Sequence, residues 1–418
     1  MGRTSSVDTW SLPDEWQWVR IDEVCEVNPR RRSVDRKGDA PTSFLPMAGV
    51  DELSGAIVDP ETRPYYEVSR GYTYFEEGDV LFAKITPSMQ NGKSAIAQGL
   101  IDGFGFGSTE FHVLRPSEKV LPEWIHLFVR QISFREEATT HFRGSVGQQR
   151  VPSEFLTQHL IPVPSSLTVQ RRIVARVEVL SREIRAAQRV HGAFVHDAHE
   201  LMDVALTETF RVIQEREATT WATIGSVGEV MGGVTKNRRR SSYPLRLPYL
   251  RVANVYANEL RLDDVQEIGV LEKELGRLLL QPYDLLVIEG NGSIDQIGRV
   301  AVWDGSIDPC IHQNHIIKVR FGGSVDSKYA LYWLLSPLGR DEIVKVASST
   351  SGLYTLSLSK VSALPIPLIP MPLQQQVIDQ LDEVRFHTDE LQRSADAISA
   401  DLERLEQSIL SQAFRGVL

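Results

Sequence analysis

The stretch Lys84-Ile85-Thr86-Pro87-Ser88-Met89-Gln90-Asn91-Gly92-Lys93 sets two lysines around hydroxyl and amide side chains. Lys84 and Lys93 supply cations for phosphates. Thr86, Gln90 and Asn91 supply groups for base edges, since Asn and Gln pair bidentately with adenine. A later stretch, from Glu289 to Arg299, repeats the outline with different side chains, among them Asn291, Ser293, Gln296 and Arg299. Such a difference is expected of two readers of different sequences; the plainer alternative is a polar hairpin with no ligand. Two basic runs, Arg30, Arg31, Arg32 and Arg238, Arg239, Arg240 with Lys236 just before, suit phosphate neutralisation or a solvated loop. Arg143, Gln148, Gln149 and Arg150, in "RGSVGQQR", form another candidate DNA edge. Its counterpart "SSTSGLYTLS" lacks charges and offers Tyr354 with hydroxylated neighbours.

Signs of catalysis are missing. "GFGFG" at Gly103 lacks the helix signals of a nucleotide site and reads as a turn, and no GxxxxGK[ST] occurs. "GSVG" at Gly144 is too short for a nucleophile elbow. Asp79 with Lys84, or Asp284 with Glu289, makes only a weak nuclease pattern of commonplace residues. His191, His196 and His199 invite a metal, but His191 falls on an apolar helical seam and the other two project from other faces. With no carboxylate or cysteine cluster beside them, no metal and no cofactor are expected.

The chain of 418 residues exceeds what one core usually fills, so more than one domain is expected. Apolar residues at 42% and charged residues at 24% are ordinary for a globular protein. Cys25 and Cys310 are the only cysteines, too few for a disulfide framework or a four-cysteine zinc site. No signal-peptide core and no long apolar span appears, so a cytoplasmic protein is expected. The net charge of −10 argues against indiscriminate attraction to polyanions, leaving local basic groups to do any binding.

The elements that position these residues come as two copies. "FLPMAGV" at Phe44 answers "YLRVANV" at Tyr249, and "GDVLFAKI" at Gly78 answers "YDLLVIEG" at Tyr283. Gln170 answers Gln374, Phe210 answers Phe414 and Arg211 answers Arg415, all displaced by about 204 residues. Each copy opens with short β-branched and aromatic runs separated by turn residues, predicting strands at 79–85, 111–115, 285–289, 298–303 and 315–320. One helix is predicted in each, over 122–139 and 328–345. The fold class is therefore α+β.

A heptad stripe follows each copy. Ile173, Val177, Leu180, Ile184, Phe194 and Leu201 mark the first; Val377, Leu381, Val384, Leu391, Ile398, Leu402 and Leu405 mark the second. So narrow a seam calls for one partner helix. The chain connectivity makes that pair antiparallel, and a stripe of about 37 residues spans roughly 55 Å. At the junctions, "LIPVPSSLTVQRRIV" and "LPIPLIPMPLQQQVI", alternating prolines force an extended exit before helix onset; Pro372 fits a first helical turn, and Ser165 or Ser166 suits a cap.

Two look-alike globular units, each followed by an L-P-x-P…Q-x-x-I junction and a long helix, resemble the specificity (S) subunit of type I restriction–modification systems. The opening "LPDEWQWVRIDEV" and the closing "ILSQAFRGVL" carry the same resemblance, which covers essentially the whole chain. It implies two target-recognition domains, residues 1–164 and 219–367, with a central spacer helix at 165–218 and a C-terminal one at 368–418, pseudo-twofold symmetric. It also implies a non-catalytic reader of a bipartite double-stranded DNA site, partnered by type I methyltransferase (M) subunits, two in number, with restriction (R) subunits as further candidates. A stand-alone nuclease and a coiled-coil scaffold that binds no DNA are the competing readings.

Overall fold

The computed structural model describes residues 10–145, 148–216, 219–350 and 353–418. The chain divides into two compact units, residues 1–191 with 397–418, and residues 192–396.

In the first unit a four-stranded antiparallel sheet runs in the order Cys25–Val27, Phe111–Pro116, Val80–Ala83, Ser94–Ile96. Its central strand Val80–Ala83 is buried along its whole length, which explains a continuous apolar run instead of alternation. A second sheet places Glu61–Pro64, Pro41–Leu45, Phe104–Gly107 and Thr73–Glu76 side by side, with one parallel pairing between Pro41–Leu45 and Phe104–Gly107. The "GFGFG" motif is thus a strand, and only Gly103 sits in a turn, at φ 75°. The other two glycines are there for packing: a Cβ on Gly105 would lie 2.8 Å from the Phe75 ring, and one on Gly107 would lie 2.6 Å from the Leu45 carbonyl oxygen.

The second unit repeats the first sheet as Gly228–Gly232, Ile316–Phe321, Leu285–Ile288, Val300–Val302. Its companion sheet pairs Gln266–Val270, Leu245–Leu250 and Ile311–His312. Where one helix is predicted in each copy, two occur: Pro122–Val129 and Ile132–Thr140, then Ser327–Leu335 and Pro337–Val346. Ser336 is extended at ψ 149°, its side chain accepts from the Gly339 amide and Pro337 begins the next helix, so the break is written in residues that cap and restart.

The proline runs are strands. Leu160–Pro164 pairs antiparallel with Trp16–Arg20, and Pro365–Leu368 with Thr220–Thr223, each as a two-stranded edge where missing amides cost little. Their carbonyls are used as well: Trp124 Nε1 donates to the Pro162 oxygen and Trp333 Nε1 to that of Pro365. Helices Leu167–Gln214 and Met371–Phe414 follow, with Ser166 Oγ accepting from the Thr168 amide and Pro372 in the first turn of the second helix.

Within the first unit, Ile173, Val177 and Ile184 share a core with Ile409, Leu410 and Phe414. Within the second, Leu206, Phe210 and Ile213 share one with Val377, Ile378 and Leu381. In each unit, then, the start of one helix meets the end of the other. Leu180, Val384, Leu391 and Leu402 are half-buried. Phe194, Leu201, Ile398 and Leu405 are exposed, which corrects the seam expected from the heptads. The reason is pitch: a straight helix drifts about 20° per heptad from a 3.5-residue repeat. At about 100° per residue, the buried residues from Ile173 to Ile213 stay within an arc of about 100°, while Phe194 and Leu201 fall 60–80° or so outside it.

Burial pushes His126 down to about 4 and His312 to about 3, against an ordinary 6.5. Their rings donate to carbonyls, His126 Nε2 to Ser94 at 3.1 Å and His312 Nδ1 to Ile316 at 2.8 Å. With folded values depressed, the unfolded chain takes up protons first as pH falls below 6.5, so stability drops between there and about 4. Each histidine is expected to contribute up to about a tenfold loss in folding constant per pH unit. Urea unfolding at stepped pH should therefore show a shallower acid limb for His126→Gln than for the parent, once each curve is referred to its value at neutral pH.

Candidate nucleic-acid interface

The segments singled out in the sequence meet in a ribbon that recurs in both units. In the first, the buried strand Val80–Ala83 delivers Lys84 to the surface. The Lys84 amide donates to the Glu110 carbonyl at 2.9 Å, and the Lys84 carbonyl accepts from Val151 at 2.9 Å. The Thr86 amide then donates to Gln149 at 3.0 Å, and Arg143 and Arg150 exchange backbone bonds at 3.0 and 2.9 Å. Lys84, Thr86, Arg143, Gln149 and Arg150 are thus neighbours, with exposed Gln148 at the adjoining bend. Val146 and Gly147, within the same motif, lie outside the described residues.

The second unit builds the ribbon with the same backbone bonds. The Glu289 amide donates to His315 at 3.0 Å and its carbonyl accepts from Leu356 at 2.7 Å. Gly290 and Asn291 pair with Thr355 and Tyr354, which pair in turn with Ser348 and Ser349. Asn291 and Tyr354 therefore lie side by side. Ser293 donates its amide to Asn291 Oδ1 at 3.0 Å, and Gln296 is exposed.

Charge differs between the two. Arg150 grips Glu110 through Nε at 2.9 Å and Nη2 at 2.8 Å, which holds the Glu110 carboxyl below the usual range. Burial lowers the Lys84 ammonium. Arg143 stands 3.8 Å from Glu154. In the second unit the corresponding contact is a hydrogen bond between His315 Nδ1 and Glu289 Oε2 at 2.8 Å. Glu110 and His315 were missed in the sequence because each lies just before a buried strand, where a lone polar residue reads as a turn.

Other candidates are placed differently. Asn91 donates to Glu52 and Lys93 to the Met47 carbonyl, tying that end of the loop to residues 47–52. The exposed Gln90 gives its carbonyl to Arg135. Arg240 is buried, with Glu274 at 2.9 Å and the carbonyls of Thr235 and Gly269 around it, so it braces the fold and has no free face for phosphate. Arg299 lies 4.5 Å over the Tyr256 ring and donates to Val252. Arg31 stacks over Tyr65 and Phe106, and Arg32 pairs with Glu76 at 3.1 Å. Arg30, Lys236, Arg238 and Arg239 are exposed.

The weak nuclease pattern loses its carboxylates to structure: Asp79 is buried against Arg115 and Asp284 against Arg320, both bidentate. His191 Nε2 lies 3.1 Å from Ser399 Oγ, and exposed His196 pairs with Glu200; the His199 side chain lies outside the described residues. Among the described residues no group of three or more His, Cys, Asp or Glu is placed to hold a metal, and no helix is long and apolar enough to cross a membrane.

Two α+β units, each with a ribbon of its own side chains and half of two long helices, define an internally duplicated protein. Residues 13–190 match the type I restriction modification DNA specificity domain. The Escherichia coli type I restriction enzyme EcoEI specificity subunit is 33% identical over 218 residues, 51% of this chain and 36% of the relative, so the chain matches only about a third of that relative's length. The EcoKI specificity subunit of Escherichia coli strain K12 is 23% identical over 73% of this chain and 68% of its own. The fold is shared with a chain from a solved type I R-M system, at TM-score 0.79 and 23% identity over 98% of this chain and 100% of that one. It is shared more distantly with the HsdS subunit from Thermoanaerobacter tengcongensis, at TM-score 0.54 and 23% identity, covering 98% of this chain and 99% of that one. Residues 13–190 are thus similar to a type I restriction modification DNA specificity domain, and the chain as a whole shares its fold with the solved relatives.

Proposed function

We propose that this chain is the sequence-specific DNA-binding subunit of a cytoplasmic type I restriction–modification enzyme, each unit reading one half of a bipartite duplex. The observation that carries this reading is the ribbon, built twice on the same backbone bonds with different side chains. Equal frames with unequal chemistry suit two unequal half-sites. In this reading the reading heads are residues 1–164 and 219–367, and the chain has no catalytic role of its own. Two methyltransferase subunits, joined by restriction subunits, supply the chemistry. The exposed apolar side chains of the long helices, Phe194 and Leu201 among them, are surface for the methyltransferase subunits.

The test uses the chain assembled with its methyltransferase and a duplex recovered from a randomised library. One base pair inserted between the half-sites turns one against the other by about a tenth of a helical turn. Retardation is expected to fall at least a hundredfold; unchanged affinity would refute a bipartite reader. Partner-free protein with Mg²⁺ should leave plasmid intact.

A further inference from the structure

We propose that the hydrogen-bonded side-chain pair at the base of each ribbon sets the base preference of its half-site, so that the first unit selects guanine and the second cytosine or adenine. This rests on the DNA-reading function proposed above. The backbone bonds show that Lys84 and Glu289 occupy one position, and Glu110 and His315 another. At the first position an ammonium in one unit is replaced by a carboxylate in the other. Where folding would accept either, the difference serves whatever the ribbon faces.

The two pairs also leave different groups unspent. Arg150 gives Nε and one Nη2 hydrogen to Glu110, and one Nη1 hydrogen to the Gln148 carbonyl at 3.0 Å. One hydrogen remains on each Nη, a two-donor fork on a side chain that is still 42% exposed. Such a fork matches O6 and N7 of guanine, and Glu110 fixes its orientation beforehand. In the second unit Oε2 of Glu289 is taken by His315, while Oε1 has no hydrogen-bond partner among the described residues. A carboxylate oxygen accepts and never donates, so it addresses the amino group of cytosine or adenine and rejects the carbonyl of guanine or thymine. Arg150 and Glu289 are thus specificity residues, and Glu110 is a positioning residue.

The experiment sequences duplexes selected from a library with both half-sites randomised, using the full chain with its methyltransferase. Arg150→Lys keeps the charge and loses the fork. It is expected to reduce a guanine preference about tenfold at one position of one half-site and to leave the other half-site unchanged. Glu289→Lys installs the residue of the first unit and is expected to turn one position of the other half-site towards guanine. Glu110→Gln, which loosens Arg150 without touching DNA, should weaken the same guanine preference less than Arg150→Lys does. If both principal variants select the parental consensus and merely bind more weakly, these side chains touch phosphate alone and the inference fails while the DNA-reading function stands. If the parent itself selects no consensus, both fall. Circular dichroism melts of each variant separate misfolding from altered choice.

Discussion

Asp79→Ala is expected to destabilise the first unit by about 3 kcal/mol, from the loss of one partner of a buried ion pair. Asp79 is 1% exposed, and its two oxygens accept from Arg115 Nε at 2.8 Å and Nη2 at 2.7 Å. Its Oδ2 also takes the Glu76 amide at 2.7 Å, closing the turn in which Gly78 adopts φ 84°. Alanine would leave a guanidinium and an amide facing a void. The cost stays near the lower end of the range of about 3–5 kcal/mol because Arg115 keeps Glu76 at 3.3 Å and part of its surface in water. Asp284, gripped the same way by Arg320 and bonded to the Gln281 amide at 2.7 Å, should give a parallel loss in the second unit. Asn at either position keeps an acceptor for the turn amide and should cost less than Ala. Urea midpoints measure all three, and a shift below about 1 kcal/mol for Ala would show that the pair holds nothing together.

Gln170→Leu is expected to cost about 2–3 kcal/mol, since three main-chain groups, one buried and two part-buried, lose their partner at once. Gln170 is fully buried; Oε1 accepts from the Leu121 amide at 2.9 Å, and Nε2 donates to Lys119 and Pro164 at 3.0 Å each. One side chain thereby ties helix, proline strand and the loop before Pro122–Val129. Gln374 repeats the arrangement with the Asp326 amide and the carbonyls of Ser324 and Ile369. Hydrogen exchange at Leu121 should quicken by about two orders of magnitude in Gln170→Leu, with little change at Asp326. Glu in place of Gln tests the assignment further, because a carboxylate would face two carbonyl oxygens and should be at least as damaging.

Much of this plan is legible in the sequence, and the rest is hidden for identifiable reasons. The duplication shows because equivalent turns and strands keep their spacing, down to Gln170 and Gln374. What those glutamines do does not show, because their partners lie about 50 residues away in the chain. The apolar run at 80–83 announces a strand, whereas the break after Val129 is hidden because Arg130 and Gln131 are sound helix formers. The residues of the first ribbon stand in two separate stretches of the sequence, 84–93 and 143–150. Only the long-range pairing of 84–86 with 149–151 makes them one surface, and it leaves Asn91, Lys93 and Arg240 to structural work. The heptad rhythm misassigned Phe194, Leu201, Ile398 and Leu405 because periods of 3.5 and 3.6 cannot be told apart within one or two turns.

The first unit takes residues from both the early and the late chain: the Phe414 ring packs 4.7 Å from Trp124 and 5.2 Å from Phe128. The second is one uninterrupted segment. During translation the order of completion is therefore reversed. The module begun first must wait, with Trp124 and its neighbours uncovered, until residue 414 has cleared the ribosome, while the module begun later is already whole. A chain truncated after residue 396 and released from the ribosome should then present a protease-resistant second unit and a first one still open to cleavage and to chaperones.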